Sequence, residues 1–137
     1  MARYLLDTNI VLFFLFNRKD LEREVCDLLT DYNNQLYVSS ASVQEIIYKY
    51  KRNKIKTNWK KAEEILPNID DVNFDILPVK KEHLVTYSKL SILDEHKDPV
   101  DHIIISQAIT ERITLISSDN KFEYYIPQKL DFVFNDR

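Results

Sequence analysis

The sequence of 137 residues contains no glycine and a single cysteine, Cys26. P-loops and GxGxxG dinucleotide turns need glycine for a close approach of the backbone to phosphate, so the common ATPase, GTPase and Rossmann-type cofactor sites are excluded. One cysteine also excludes an intrachain disulfide framework and a multi-cysteine zinc site. Without glycine, the turns must rely on Asn and Asp, as at Asn33-Asn34 and Asp119-Asn120.

Long apolar runs and excess positive charge are missing as well. The longest unbroken apolar run, Ile10–Phe16, is far shorter than the roughly 20 residues that span a bilayer. The first residues run directly into a strand-like segment and do not form a signal peptide, so we expect a cytoplasmic protein with no membrane association. The net charge is −3, and any affinity for nucleic acid would therefore need a local basic patch.

The order of apolar segments predicts one α/β domain with a central, mainly parallel sheet flanked by helices. Strands are predicted at Arg3–Leu6, Gln35–Ser39, Phe74–Leu77, Thr114–Ser117 and Asp131–Phe134. Helices are predicted at Ile10–Phe16, Asp20–Asp31, Ser42–Asn53, Asn58–Leu66 (closed by Pro67), Lys81–Leu90 and Pro99–Arg112. In such sheets the functional crevice lies beyond the carboxyl ends of the strands.

Four acidic residues fall near that crevice. Asp7 and Asp119 each follow an apolar strand directly or closely, and Glu45 and Asp101 lie near the starts of helices. The last two also have a structural interpretation. Ser42-x-x-Glu45 is the pattern of a capping box, and the segment from Asp98 to Asp101 is that of an N-cap, a proline in the first turn and an acid that complements the helix dipole.

Gathered in one crevice, four carboxylates would repel one another, and they would either take up protons or bind a cation. Oxygen ligands alone suit Mg²⁺ or Mn²⁺ rather than zinc. An ion held in this way activates water and neutralises phosphate charge, so the acids indicate metal-assisted hydrolysis of a phosphodiester.

The order and spacing of four motifs resemble those of PIN-domain nucleases, specifically the VapC-type toxins of bacterial toxin–antitoxin pairs. The motifs are LLDTN at Leu5–Asn9, SxxE at Ser42–Glu45, DPxDxxII beginning at Asp98 and SSDNKF at Ser117–Phe122. By this resemblance Asp7, Glu45, Asp101 and Asp119 are the catalytic and metal-binding acids, and Asn9 and Ser117 are supporting polar residues.

The resemblance also implies a single PIN domain over residues 1–137, a Mg²⁺- or Mn²⁺-dependent endoribonuclease activity, and RNA as the substrate. It further implies a cognate antitoxin as a partner, and a homodimer. The sequence departs from the family in one place: His102 follows the third acid where the family often has arginine.

A basic run, Lys49–Lys61, follows the helix of Glu45 and can guide an RNA backbone toward the acids. The alternative is a solvated face of two helices. The candidate RNA contacts are Lys49, Lys51, Arg52, Lys54 and Trp59, with an exposed Trp59 or tyrosine stacking on a base.

The metal-dependent nuclease has two alternatives. A metal-independent ribonuclease would use paired histidines and the RNA 2′-hydroxyl, but His83, His96 and His102 are expected to be surface or capping residues. A non-catalytic PIN-like module that binds only RNA or protein is the alternative from another class. Binding of Mn²⁺ would distinguish it from the nuclease.

Overall fold

Five strands form one parallel sheet in the computed structural model, which describes residues 2–137. They are β1 Arg3–Leu6, β2 Gln35–Ser39, β3 Phe74–Leu77, β4 Thr114–Ser117 and β5 Phe132–Phe134. The sheet order is β3-β2-β1-β4-β5, with every neighbouring pair parallel. The predicted α/β class is confirmed. Four strands have the predicted bounds, because each is a short apolar run with clear polar limits, and β5 begins one residue later.

Helices connect the strands and cover the sheet. The α-helices are α1 Thr8–Phe16, α2 Arg23–Thr30, α3 Ser40–Lys51, α4 Ile65–Asp71, α5 Lys81–Lys89 and α6 Pro99–Glu111. Three 3₁₀ segments lie at Arg18–Asp20, Ala62–Glu64 and Asn120–Gln128. None of the helices between residues 2 and 137 combines the length and apolar composition needed to cross a bilayer.

The predicted helix Asn58–Leu66 is wrong. The α-helix in this region begins only at Ile65 and continues to Asp71, so Pro67 is its third residue and does not end it. A proline in the first turn costs no hydrogen bond, because the first N–H groups of a helix have no partner within the helix.

The core has two parts, one on each face of the sheet, because successive residues of a strand point to opposite faces. On the central strand, Leu6 packs into the first part with Ile10 and Ile46. Leu5 packs into the second with Ile104 and Leu115. All six side chains are fully buried, so the central strand is anchored from both sides.

This arrangement brings the carboxyl ends of β1 and β4 together. The strands are neighbours in register, with Leu6 opposite Ile116. One residue later, the Asp7 N–H donates to the Ile116 carbonyl at 3.0 Å. Residues that follow β1 and β4 therefore share one crevice.

Between residues 2 and 137, four residues other than glycine adopt left-handed backbone conformations. Their φ angles are 55° at Asn53, 64° at Asn73, 56° at Arg112 and 78° at Lys129. Asparagine tolerates this region better than most residues, whereas arginine and lysine at the ends of α6 and of the last 3₁₀ segment do not have that advantage.

Candidate active site

Asp7 lies at the centre of the crevice and is buried, with 5% of its surface exposed. Its Oδ1 accepts the Thr8 N–H at 2.7 Å, which caps α1, and its Oδ2 accepts the Ser117 hydroxyl at 2.7 Å. Burial and the neighbouring charge of Asp101 raise the pKa of Asp7 from 3.8 to about 7. Asp7 is thus held in place by two elements and is destabilised as an anion.

Asp119 is positioned through the same serine. Its N–H donates to the Ser117 hydroxyl oxygen at 3.0 Å, and its Oδ1 accepts the Lys121 N–H at 3.0 Å. This second bond caps the 3₁₀ segment that follows β4. Ser117 therefore links Asp7 and Asp119 directly.

Glu45 is located in α3, but not in the capping box that its sequence pattern suggests. The helix begins earlier: Ser39 is the N-cap, and its hydroxyl oxygen accepts the Ala41 N–H at 3.0 Å. Glu45 is therefore beyond the first turn. It forms an ion pair of 3.6 Å with Lys49, one turn later. The competing capping interpretation of Glu45 is wrong.

Asp101 is the third residue of α6, in its first turn. The predicted N-cap is confirmed, because Oδ1 of Asp98 accepts the Val100 N–H at 2.9 Å. Asp101 itself bonds elsewhere: its Oδ2 lies 2.9 Å from Nε2 of His96. Burial and the charges of Asp98 and Asp119 raise the pKa of Asp101 from 3.8 to about 7.

The structure brings the four predicted acids within electrostatic reach of one another. The charge of Glu45 also contributes to the raised pKa of Asp7 and of Asp101. Carboxylates that raise one another's pKa in a buried crevice are a site for a cation or for protons. Among the supporting residues, Ser117 lies between two of the acids, while Asn9 is exposed in the first turn of α1.

The donor set fits a divalent cation. One ligand atom each from Asp101, Asp119 and His96 lie within 4.8 Å of one another. Within residues 2–137, the buried hydroxyls of Thr8 and Ser42, close in sequence to Asp7 and Glu45, have no hydrogen-bond partner. Carboxylate oxygens suit Mg²⁺ or Mn²⁺, which keep several water molecules when few carboxylates bind them.

The histidines are not on the surface, contrary to expectation; His83, His96 and His102 are all at least nine-tenths buried. His83 does have the expected capping role, because its Nδ1 accepts the Lys80 N–H at 2.9 Å. Both ring nitrogens of each histidine face partners inside the protein. This arrangement leaves no free histidine pair for a mechanism through the RNA 2′-hydroxyl.

His102 does not replace the family's arginine as a cation facing the site. Its Nε2 donates to the His96 carbonyl at 2.6 Å, and its Nδ1 lies 3.1 Å from the Tyr87 hydroxyl. His102 thus braces the loop before α6. The sequence did not predict a role for His96, which forms a hydrogen bond with Asp101. Burial lowers the pKa of His96. Its position five residues before Asp101 was the available signal.

The basic run has two distinct parts. Lys51, Arg52 and Lys54 are exposed around the end of α3. Trp59 is instead a core residue, 8% exposed. Its ring packs edge-on against Phe16 with centroids 4.8 Å apart, and its Nε1–H donates to Asn68 at 2.9 Å. The expectation of an exposed Trp59 that stacks on a base is wrong.

Comparisons with known proteins agree with this geometry. The family model for the PIN domain matches residues 4–125. A search of curated proteins finds no significant match. The similar solved structures include VapBC2 from Rickettsia felis bound to a promoter DNA fragment, with 25% identity, a TM-score of 0.70 and coverage of 98% of this chain and 100% of the other.

A second similar structure is VapBC-1 from nontypeable Haemophilus influenzae, with 21% identity, a TM-score of 0.66 and coverage of 97% and 98% of the two chains. A third is VapBC-5 from Mycobacterium tuberculosis, with 17% identity, a TM-score of 0.64 and coverage of 98% and 99%. The resemblance to VapC-type proteins seen in the motifs is thus confirmed over nearly the full chain. Together with the family model, it shows that the chain belongs to the PIN domain family.

Proposed function

We propose that this protein is a Mg²⁺- or Mn²⁺-dependent endoribonuclease and the toxin of a toxin–antitoxin pair. Membership of the PIN family and the likeness to VapBC structures support a nuclease toxin. The observation that carries the proposal is the crevice of four carboxylates, in which Asp7 and Asp101 both have a pKa of about 7. Such a cluster is unfavourable as a set of free anions at neutral pH, and it takes up protons or binds a cation.

The catalytic roles follow from the way each acid is held. Asp7, Asp101 and Asp119 would bind the ion, and Glu45 on α3 would bind it or orient its water. When bound, a divalent ion supplies neutralisation of phosphate charge and activation of water for in-line displacement. Ser117 fixes the orientation of Asp7 and the backbone position of Asp119. In the proposed reaction water attacks the phosphorus and the P–O3′ bond breaks, which leaves a 5′-phosphate and a 3′-hydroxyl.

The RNA substrate would approach along α3. A groove of about 390 Å³ adjoins Glu45, and its lining includes Gln44, Tyr48, Lys49 and Val100. Tyr48 is 56% exposed and offers a face on which an unpaired base can stack.

Positive charge continues beyond the groove. Lys51, the last residue of α3, and Arg52, its C-cap, follow Glu45 by six and seven residues, about 10 Å further along the helix axis. Lys54 lies over the Tyr48 ring at 5.9 Å. We propose Lys49, Lys51, Arg52 and Lys54 as phosphate contacts, because bulk charge of −3 cannot attract RNA by itself.

We also propose a cognate antitoxin as a protein partner, and a homodimer. The similar structures include a toxin–antitoxin complex from Klebsiella pneumoniae, in which 96% of the matched chain is covered. In this chain, α1 leaves Leu12, Phe13, Leu15 and Phe16 only partly buried, although all are large apolar side chains. A partner that covers them would gain apolar burial.

The test is cleavage of total bacterial RNA by purified protein with Mn²⁺, with Mg²⁺ and with EDTA. Asp7→Asn is the inactive variant, and Asp27→Asn on the exposed face of α2 is the matched control. We expect internal cuts with 5′-phosphate ends that require the metal, disappear in Asp7→Asn and persist in Asp27→Asn.

Three results would contradict the proposal. Cutting in EDTA, or cyclic phosphate ends, would indicate a metal-independent mechanism. Intact RNA under all conditions would contradict the endoribonuclease, and loss of Mn²⁺ binding as well would favour the non-catalytic binding module.

A further inference from the structure

The loop between α5 and α6 places a buried histidine beside one of the acids. His96 is 2% exposed, and its Nε2 lies 2.9 Å from Oδ2 of Asp101. In the described part of the chain, this is the one hydrogen bond to the Asp101 carboxylate. Among residues 2–137, Oδ1 of Asp101 therefore has no hydrogen-bond partner.

The other side of the His96 ring faces a fully buried tyrosine. The Tyr125 hydroxyl lies 3.0 Å from Nδ1 of His96, and the same oxygen accepts the Leu93 N–H at 3.2 Å. If Nδ1 of His96 carried the proton, the Tyr125 hydroxyl proton would have no acceptor within residues 2–137. A buried unpaired donor is costly. The hydrogen-bond count therefore puts the proton of the neutral ring on Nε2, with Tyr125 donating to Nδ1.

The backbone of His96 is fixed as well. His102 donates to its carbonyl at 2.6 Å, and the His96 ring packs against Phe122 with centroids 5.3 Å apart. A ring held by its carbonyl, by Tyr125 and by Phe122 presents its Nε2–H to Asp101 in a constant direction. Such outer partners orient metal ligands and tune their affinity.

We propose that His96 is a positioning residue, which donates its Nε2–H to Oδ2 of Asp101 and thereby directs Oδ1 toward the divalent ion, with Tyr125 fixing the tautomer. This inference rests on the proposed function for the identity of the ion. Direct ligation by Nε2 is the competing role, since that atom is near ligand atoms of Asp101 and Asp119. It would require the tautomer that leaves the Tyr125 proton unpaired.

The test measures Mn²⁺ binding to the purified full-length chain by calorimetry and by electron paramagnetic resonance. His96→Phe removes the donor and keeps a ring, whereas His96→Gln keeps an N–H donor. We expect His96→Phe to weaken Mn²⁺ binding roughly tenfold to a hundredfold, and His96→Gln to recover part of the loss. Tyr125→Phe, which removes only the hydroxyl, should weaken binding less than His96→Phe.

The pulsed resonance spectrum separates positioning from ligation. The wild-type protein should show no coupling of Mn²⁺ to a directly bound imidazole nitrogen. A strong coupling that changes with ¹⁵N-histidine labelling and disappears in His96→Gln would overturn positioning in favour of ligation. Unchanged Mn²⁺ affinity in a folded His96→Phe variant would also overturn it, leaving His96 a structural residue.

These outcomes are independent of the nuclease test. If the wild type binds Mn²⁺ and the His96 variants behave as expected, the inference stands even when no RNA is cut. If the wild type cuts RNA with Mn²⁺ and His96→Phe retains full affinity, the inference alone fails. A wild-type chain that does not bind Mn²⁺ would overturn both proposals.

Discussion

Oδ2 of Asp7 accepts a hydrogen bond of 2.7 Å from the Ser117 hydroxyl, across 110 positions of sequence. The bond joins the carboxyl ends of β1 and β4, the two neighbouring strands that form the floor of the acidic crevice. Asp7 is therefore oriented before an ion binds. Without the ion, repulsion among the clustered carboxylates destabilises the folded protein.

The substitution Asp7→Asn should stabilise the metal-free protein. It removes a buried carboxylate whose pKa is raised to about 7, while an amide oxygen can still accept the Thr8 N–H. We expect a gain of about 1–3 kcal/mol in the free energy of unfolding at pH 8 in EDTA, measured by urea denaturation. Asp27→Asn should change stability by less than about 0.5 kcal/mol. Destabilisation by Asp7→Asn would identify Asp7 as a structural acid.

Stability in the absence of metal should fall as the pH rises. Between pH 4 and pH 7 the folded protein retains protons on Asp7 and Asp101 that the unfolded chain, with a pKa of 3.8, has already released. The stabilising contribution of these protons is complete below pH 3.8 and is lost as the pH passes about 7.

Mn²⁺ should reverse this trend, because the ion binds the ionised carboxylates. We expect the Mn²⁺ affinity to rise at least about tenfold between pH 6 and pH 8. Denaturation profiles and calorimetry over this range provide the measurement. The Asp7→Asn/Asp101→Asn double variant should lose both dependences. A flat profile for the wild type would show that the acids ionise normally.

The double substitution Lys51→Ala/Arg52→Ala should weaken RNA binding by removing two exposed positive charges beyond Glu45. In the Asp7→Asn background, which prevents cleavage, we expect a loss of about tenfold in affinity and a salt dependence shallower by about 1.4 units of slope for the two charges. Lys19→Ala/Arg23→Ala removes two exposed charges elsewhere and should have little effect. Equal effects of both pairs would mean that the α3 charges are an ordinary solvated face.

Substitutions of Trp59 and Tyr48 should have different effects, the first on stability and the second on RNA binding. Truncation of the buried Trp59 to alanine removes its packing on Phe16 and should cost about 3–5 kcal/mol of stability. Tyr48→Ala removes an exposed ring beside the groove and should leave stability nearly unchanged, while RNA affinity falls by about 1–3 kcal/mol. Binding assays and urea denaturation on both variants check this, and an RNA affinity insensitive to Tyr48→Ala would remove it from the interface.

The sequence was sufficient to predict the sheet and the proximity of the acids. Strands such as Arg3–Leu6 and Thr114–Ser117 are short apolar runs that end at polar residues, and in a parallel sheet such ends share one edge. Proximity of Asp7 and Asp119 follows from that rule alone. The metal-binding and catalytic roles of the four acids stay predictions.

What the sequence did not predict depends on tertiary contacts. Trp59 lies among lysines and looks exposed, but its burial depends on Phe16, 43 positions earlier, and on Asn68. The partner that fixes the tautomer of His96 is Tyr125, 29 positions later. Ser42 satisfies the capping-box pattern, yet Ser39 is the cap, because β2 ends there and α3 follows immediately. Local patterns cannot choose between such alternatives.

The left-handed residues Arg112 and Lys129 leave room for thermostabilisation by design. Because the chain has no glycine, α6 and the last 3₁₀ segment end at residues with side chains, which cost roughly 1 kcal/mol each in the left-handed region. Asparagine already occupies the other two such positions, Asn53 and Asn73. Replacing Arg112 and Lys129 by asparagine would relieve part of the strain. Unlike glycine, asparagine would not add conformational entropy to the unfolded chain. Both positions are far from the acids, so the crevice would be unaffected.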